Sequence, residues 1–261
     1  MKKIFKTIGN IFFGKKALQK PFELLYRISL KGMNFGSSEV EDSGEAYVLE
    51  QTKKMSGSPI IFDVGANKGQ YANLINKVFD GSAKIYSFEP GKFTYSELLK
   101  NIKNIKNVKT YNFGLGSEER DMYLNYDDQG SGLASVYERK LEHANIDFKK
   151  KEKIDIRTLD GFCKANKIER IDLLKIDVEG HEMEVLKGAK TILDGRKISA
   201  IQFEFGGCNI DSRTYFQDFF YLLKKDYAIY RILQDGLREI RRYSELQEIF
   251  TTVNYYAKLK S

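Results

Sequence analysis

From residue 59 onward the chain alternates apolar runs of strand length with amphipathic stretches of helix length. That alternation restricts its possible folds more than any other feature. The runs are PIIFDVG (59–65), KIYSFEP (84–90), VKTYNFG (108–114), IDLLKIDV (171–178) and AIQFEF (200–205). Helix-like segments lie near 69–80, 91–103, 159–167, 181–193 and 212–225. Strands apolar on both faces, alternating with helices, call for a mostly parallel sheet covered on both sides. The tail reads differently. YAIYRILQDGLREI carries a Gln-Asp-Gly turn and TTVNYYAKL alternates apolar and polar residues, so the sheet is expected to end in antiparallel strands. The polar, Gly- and Ser-containing segment near 127–152 reads as an insertion lying over a site.

Charge is unevenly placed. Residues 1–31 hold eight Lys or Arg against Glu23 alone, which accounts for the entire net charge of +7. Residues 32–261 are balanced, so the main domain is not composed to bind a polyanion, and no nucleic-acid partner is expected. Ile4, Phe5, Ile8, Ile11 and Phe12 recur at helical spacing between lysines, and the pattern restarts after Pro21 with Phe22, Leu25, Tyr26 and Ile28. We read residues 1–40 as a basic amphipathic arm and 41–261 as the main domain. The arm either packs on that domain or makes peripheral contact with a membrane through residues 1–31. No run reaches the ~20 apolar residues of a membrane span, and the two separated cysteines, Cys163 and Cys208, suit a reducing compartment. The expected location is therefore cytoplasmic, with the inner membrane face as a peripheral option.

In a doubly wound sheet, ligands bind beyond the carboxyl ends of the strands. At the first such end lies FDVGANKGQ, whose Gly65 and Gly69 permit a sharp turn and close approach to bare backbone. About 20 residues on, the second strand ends in Glu89, the place of an acid that grips ribose hydroxyls. The two together point to an adenosine-containing cofactor. A nicotinamide dinucleotide needs glycines at the middle and third positions for its pyrophosphate, and Asn67 occupies the middle one. Asp63 beside the turn favours a cation, such as the ammonium of S-adenosyl-L-methionine. The fourth run supplies Lys175, Asp177 and Glu179 in alternation, which places them on one face at the strand exit. Either acid could take a proton from an acceptor or hold a divalent ion, although no metal centre is expected. His181 is a second candidate base, or simply caps the next helix. Glu204 points to the same edge as an acceptor contact.

With FDVGANKGQY, SFEP, TLDGF and above all IDLLKIDVEGHEMEVLKGA in view, the chain resembles the FkbM-type family of S-adenosylmethionine-dependent methyltransferases. The resemblance covers roughly residues 40–205. It implies a Rossmann-like class I methyltransferase fold with a mostly parallel seven-stranded sheet, an antiparallel C-terminal strand and helices on both faces. It further implies cofactor contacts at Asp63, Gly65, Asn67, Gly69, Glu89 and Pro90, with Leu115 by the adenine and Asp177 near the reacting methyl. Catalysis would fall to Asp177, Glu179 and Lys175. The expected activity is O-methylation of a hydroxyl on a sugar, glycan or natural product. N-methylation of an amino group, a nicotinamide oxidoreductase and a non-catalytic membrane-associated protein are the alternatives.

Overall fold

A computed structural model describes residues 12–37 and 43–261. The first part of the expected arm, Ile4 to Ile11, lies outside the described residues. The second part is a helix, α1 (Gln19–Gly32), with Pro21 in its first turn, where a missing N–H costs nothing. Helix α2 (Glu45–Met55) leads into β1 (Ile60–Val64). Then follow α3 (Gln70–Phe79), β2 (Lys84–Phe88), α4 (Lys92–Asn101) and β3 (Val108–Tyr111). After an excursion described below come α5 (Leu159–Ala165), β7 (Leu173–Ile176), α6 (Glu182–Lys187), α7 (Lys190–Asp194) and β8 (Ala200–Phe205). The chain ends with α8 (Cys208–Ser212), α9 (Phe216–Leu223), β9 (Tyr227–Leu233), β10 (Gly236–Glu239) and β11 (Val253–Leu259).

The main sheet runs β10-β9-β11-β8-β7-β1-β2-β3, and every pairing among β3, β2, β1, β7 and β8 is parallel. Strand β11 is antiparallel to both β8 and β9, as the alternating tail foretold. One strand more than seven is present. Leu233 pairs directly with Gly236 across a tight Gln234-Asp235 turn, which adds β10 at the edge.

The sheet is buried on both faces because its strands offer apolar residues in both directions. Phe62 and Val64 of β1 face α5, α6, α7 and α9, within a core that also holds Phe88, Phe162, Ile176, Phe203 and Phe219. Ile61 faces the other way, onto Val48 and Leu49 of α2 and Tyr71, Ile75 and Phe79 of α3. Strand order reverses between β1 and β7, which leaves a crevice at their carboxyl ends.

Sequence reading missed a second, three-stranded sheet. It joins β4 (Gly114–Leu115), β5 (Arg120–Tyr126) and β6 (Lys150–Arg157) in the order β4-β6-β5. Its strands mix Lys, Asp and Glu with few core residues, so their periodicity is weak. The 127–149 connection between β5 and β6 returns across the carboxyl edge, where Ser135 pairs with Asn125.

Candidate active site

A cleft of about 720 Å³ opens at the β1/β7 crevice. Its floor is the β1–α3 turn. The Gly65 and Ala66 N–H groups both donate to the Phe88 carbonyl, so the turn is tied to β2. Gly65 has φ +82°, and a Cβ there would lie 1.7 Å from the Asp177 carbonyl oxygen. The exits of β1 and β7 therefore touch through a position where only glycine fits.

Glu89 crosses this floor. One carboxylate oxygen accepts from the Asn67 N–H at 3.0 Å and the other from the Gly91 N–H at 2.9 Å. The carboxylate thus clamps the glycine turn to the start of α4 while its remaining lone pairs face the cleft. Burial pushes its pKa up to about 7, against the two backbone donors that pull it down. Asn67 stands at φ +47°, and its buried side-chain oxygen has no partner among the described residues.

Gly65, Asn67, Glu89, Pro90 and Leu115 line the cleft together with Lys175, Asp177, Glu179, His181 and Glu204. Two expected contacts do not. Gly69 turns away: a Cβ on it would meet Ile102 and Leu98 at 2.8 Å, so the glycine serves α3–α4 packing. Asp63 is wholly buried and lies behind the cleft wall. Period-2 geometry points it with Ile61 toward α2 and α3, where Lys175 stands beside it in the adjacent strand. The Lys175 ammonium sits 3.6 Å from Asp63 and 3.2 Å from Asp177, and 5.2 Å above the Tyr71 ring. Asp63 already has its cation, so its charge is no argument for a cationic ligand. Burial raises its pKa, with Lys175 holding it back. For Lys175, burial pulls downward, but Asp177, Asp63 and Glu45 outweigh it and keep the ammonium charged. Lys175 cannot serve as a base.

The same face carries residues that sequence reading passed over. Gln202 donates to Glu45 at 2.6 Å and accepts from the Tyr71 hydroxyl at 3.2 Å, and both Glu45 and Tyr71 line the cleft. The available signal was polar Gln202 alternating with Glu204 inside an otherwise apolar strand. Burial raises the Glu45 pKa, with Lys175 opposing.

At the β7 exit the chain makes a tight loop. Glu179 adopts φ +52°, and Glu182, fully buried, accepts from the Val178 and Gly180 N–H groups and from Asn209. Glu182 thereby shapes the turn that presents Glu179; its pKa is pushed up to about 7 by burial. Arg139, from the 127–149 connection, reaches Glu179 at 2.5 Å, and Ser135 donates to the Glu179 carbonyl at 2.7 Å. Burial and neighbouring Asp177 drive the Glu179 pKa up to about 8, with Arg139 opposing. Ser131, Gly132, Leu133, Ala134 and Val136 complete the cleft's outer wall, so the segment read as an insertion does lie over the site.

His181 precedes α6 and pairs with the Tyr137 hydroxyl at 3.1 Å. Burial lowers its pKa to about 4, which makes it a weak base near neutrality. Glu204 is buried, faces the cleft and accepts no hydrogen bond from the described residues. Burial raises its pKa, reinforced by Asp177 and Glu179. Glu179, Glu204 and Cys208 each offer an atom within 4.8 Å of the others, a spacing compatible with a cation.

A sequence profile described as the Methyltransferase FkbM domain matches residues 63–231, well over half of the chain. The chain belongs to the FkbM methyltransferase domain family. The fold described above is a Rossmann-like class I methyltransferase fold, with β10 as the eighth strand at the edge of the sheet. The FkbM match begins at Asp63 and ends within β9, so it takes in both exits that form the cleft. The chain is similar to methyltransferase sdnD of Sordaria araneosa, 31% identical over 160 residues, covering 51% of this chain and 61% of that protein. It is also similar to the hexuronic acid methyltransferase AglP of Haloferax volcanii, at 25% identity over 150 residues and 56% of each chain. The 2-O-methyltransferase NoeI of Sinorhizobium fredii is 23% identical over 145 residues, covering 52% and 59%. The matched region thus spans less than two thirds of each of these relatives' length. Among the described residues, no helix is long and apolar enough to cross a membrane.

Proposed function

We propose that the protein is an S-adenosylmethionine-dependent methyltransferase that methylates a hydroxyl of a sugar-type acceptor. The supporting observation is the charge of the cleft. Glu45, Glu89, Asp177, Glu179 and Glu204 line it against Lys77 and Lys175. A pyrophosphate would oppose the ionisation of these carboxyls, whose pKa values burial has raised, whereas a ligand carrying a sulfonium and an ammonium would favour their charged form. The argument for a cationic ligand thus rests on the wall acids and no longer on Asp63. Glu89 would hold the ribose hydroxyls, Pro90 and Leu115 would flank the base, and Glu45 and Asp177 would face the ammonium end. Gly65 and Asn67 supply the bare backbone of the floor. When bound, S-adenosylmethionine supplies an electrophilic methyl group.

The chain itself must hold the acceptor and receive its proton. Glu179 and Glu204 suit that step by position, and each can take the proton only in its charged form, which a cationic ligand in the cleft would favour. Lys175 fixes Asp177 and keeps that part of the wall charged, and His181 contributes shape. A divalent ion held by Glu179 and Glu204 is compatible with the site but no part of this reading requires one. The relative named for hexuronic acid supports a sugar acceptor, and the one named for 2-O-methylation supports oxygen as the nucleophile. The acid wall favours a neutral sugar hydroxyl over one flanked by carboxylate. We assign this activity to residues 41–261 and a docking role to the 1–40 arm.

The test is incubation with methyl-labelled S-adenosylmethionine and paired neutral and uronate sugar acceptors, with products resolved by mass spectrometry. Label on oxygen of the neutral sugar is expected. Label on nitrogen, or none with every sugar, would overturn the acceptor assignment.

A further inference from the structure

Helix α1 projects an apolar face that, apart from an edge-on contact of Phe13 with Phe22 at 6.0 Å between ring centroids, nothing in the described chain covers. Along Gln19–Gly32, Phe22, Leu24, Leu25, Tyr26 and Ile28 fall on one arc, and each is 38–60% exposed. Lys20, Arg27 and Lys31 share the opposite arc with Glu23 as the lone acid. A 14-residue helix with this division is marginal in water on its own and gains its stability from burying the apolar side. Phe12 and Phe13 are also exposed, and Lys15 and Lys16 stand beside them.

The root of the helix is fixed at one place on the fold. Leu30 and Phe35 enter the main core, the Arg231 guanidinium lies 4.9 Å from the Phe35 ring, and the Gly36 N–H donates to the Thr252 carbonyl at 2.7 Å. Asn34 donates to the carbonyls of Ser43 and Ile232. Ile232 lies near the carboxyl end of β9. Thr252 is adjacent to Val253, which pairs with the last residue of β8. These are the strand ends where the cleft opens, and Asn254 and Glu45 on either side of this root line it.

We propose that α1 seats on an anionic lipid surface and holds the cleft edge against it, so that the acceptor is a sugar-bearing amphiphile presented at that surface. Charge complementarity selects lipid over a second copy of the chain. The chain's whole positive excess is gathered in residues 1–31, where two copies would repel each other but a layer of anionic headgroups would not. The amphiphile assignment rests on the methyltransferase reading; the lipid seat does not.

Co-sedimentation with vesicles of equal phosphatidylglycerol and phosphatidylcholine, against phosphatidylcholine alone, tests the seat on the full chain. Preferential binding to the anionic vesicles, weakened by salt, is expected. A K20Q/R27Q/K31Q variant should partition on the order of a hundredfold less, at about fivefold per basic residue near an anionic surface. An L24Q/L25Q/I28Q variant should also be lost from the pellet. Both should keep parental circular dichroism and parental S-adenosylhomocysteine affinity, which separates failure of the seat from failure of the cofactor reading. Equal sedimentation of parent and variants would overturn the seat. So would a parent that is dimeric in light scattering and becomes monomeric in the apolar variant. For the acceptor, methyl label from a membrane extract should enter the solvent-extractable lipid fraction and fall in both variants. Label confined to water-soluble products, unchanged by the variants, would overturn that half.

Discussion

At the scale of single residues, the site depends on a few buried charges whose partners decide their roles. Lys175 stands between Asp63 and Asp177, all three at the β1/β7 junction. Replacing it with Met leaves a fully buried carboxylate without a cation, which should cost about 3–5 kcal/mol in urea unfolding. Adding Asp63→Asn to that variant should restore part of the loss, a coupling that a purely catalytic lysine would not show. Glu89 makes a different case, because its two oxygens accept from two backbone N–H groups. In Glu89→Gln the amide can satisfy only one of them and must turn a donor on the other. S-Adenosylhomocysteine binding should weaken by about 1–3 kcal/mol in calorimetry. Both residues were legible as charged strand-end positions. What the sequence could not convey was direction. Asp63 and Glu89 look alike as acids closing apolar strands, yet one points behind the wall to Lys175 and the other across the cleft floor.

At the scale of elements, the strand exits are set by contacts too close for any side chain. Gly65→Ala would put a Cβ 1.7 Å from the Asp177 carbonyl at φ +82°, and should cost at least about 3 kcal/mol or prevent folding. Gly57→Ala, with open space around it, is the neutral control in the same thermal-shift measurement. The 127–149 connection is the second element that matters, since Ser135, Tyr137 and Arg139 bind Glu179 and His181 from outside the sheet. Arg139→Met should lower kcat/KM for the acceptor about tenfold to a hundredfold through loss of Glu179 placement, with S-adenosylhomocysteine affinity nearly unchanged. The five parallel strands and their helices were readable because each is a short apolar run bounded by turn residues. The small β4-β6-β5 sheet was not, because Lys150–Arg157 is mostly charged, Arg120–Tyr126 buries few of its side chains, and the two pair only through long-range register. Arg139 had no local signal at all: its partner is 40 residues away.

At the scale of the whole molecule, several carboxyls in and behind the cleft are buried, and stability should record this. Glu89, Glu182 and Glu179 have folded pKa values raised from about 4.5 to about 7, 7 and 8. Between those limits the folded state holds protons that the unfolded chain releases. Stability from these groups is therefore full below about pH 4.5 and falls as pH rises toward 8. His181 acts in the opposite sense: buried and neutral, with its pKa lowered to about 4, it removes stability as pH falls below about 6.5. The melting temperature of the ligand-free protein should consequently decline from about pH 6.5 to about 8, and Glu182→Gln should flatten that decline. A cationic ligand would favour the charged form of Glu89 and Glu179, which line the cleft. The most direct test is titration calorimetry of the full chain at about pH 7.5 with S-adenosylhomocysteine and, separately, NAD. One-to-one binding of S-adenosylhomocysteine that Glu89→Gln weakens, with no heat from NAD, is expected. Binding of NAD without S-adenosylhomocysteine, or S-adenosylhomocysteine binding indifferent to Glu89→Gln, would contradict it.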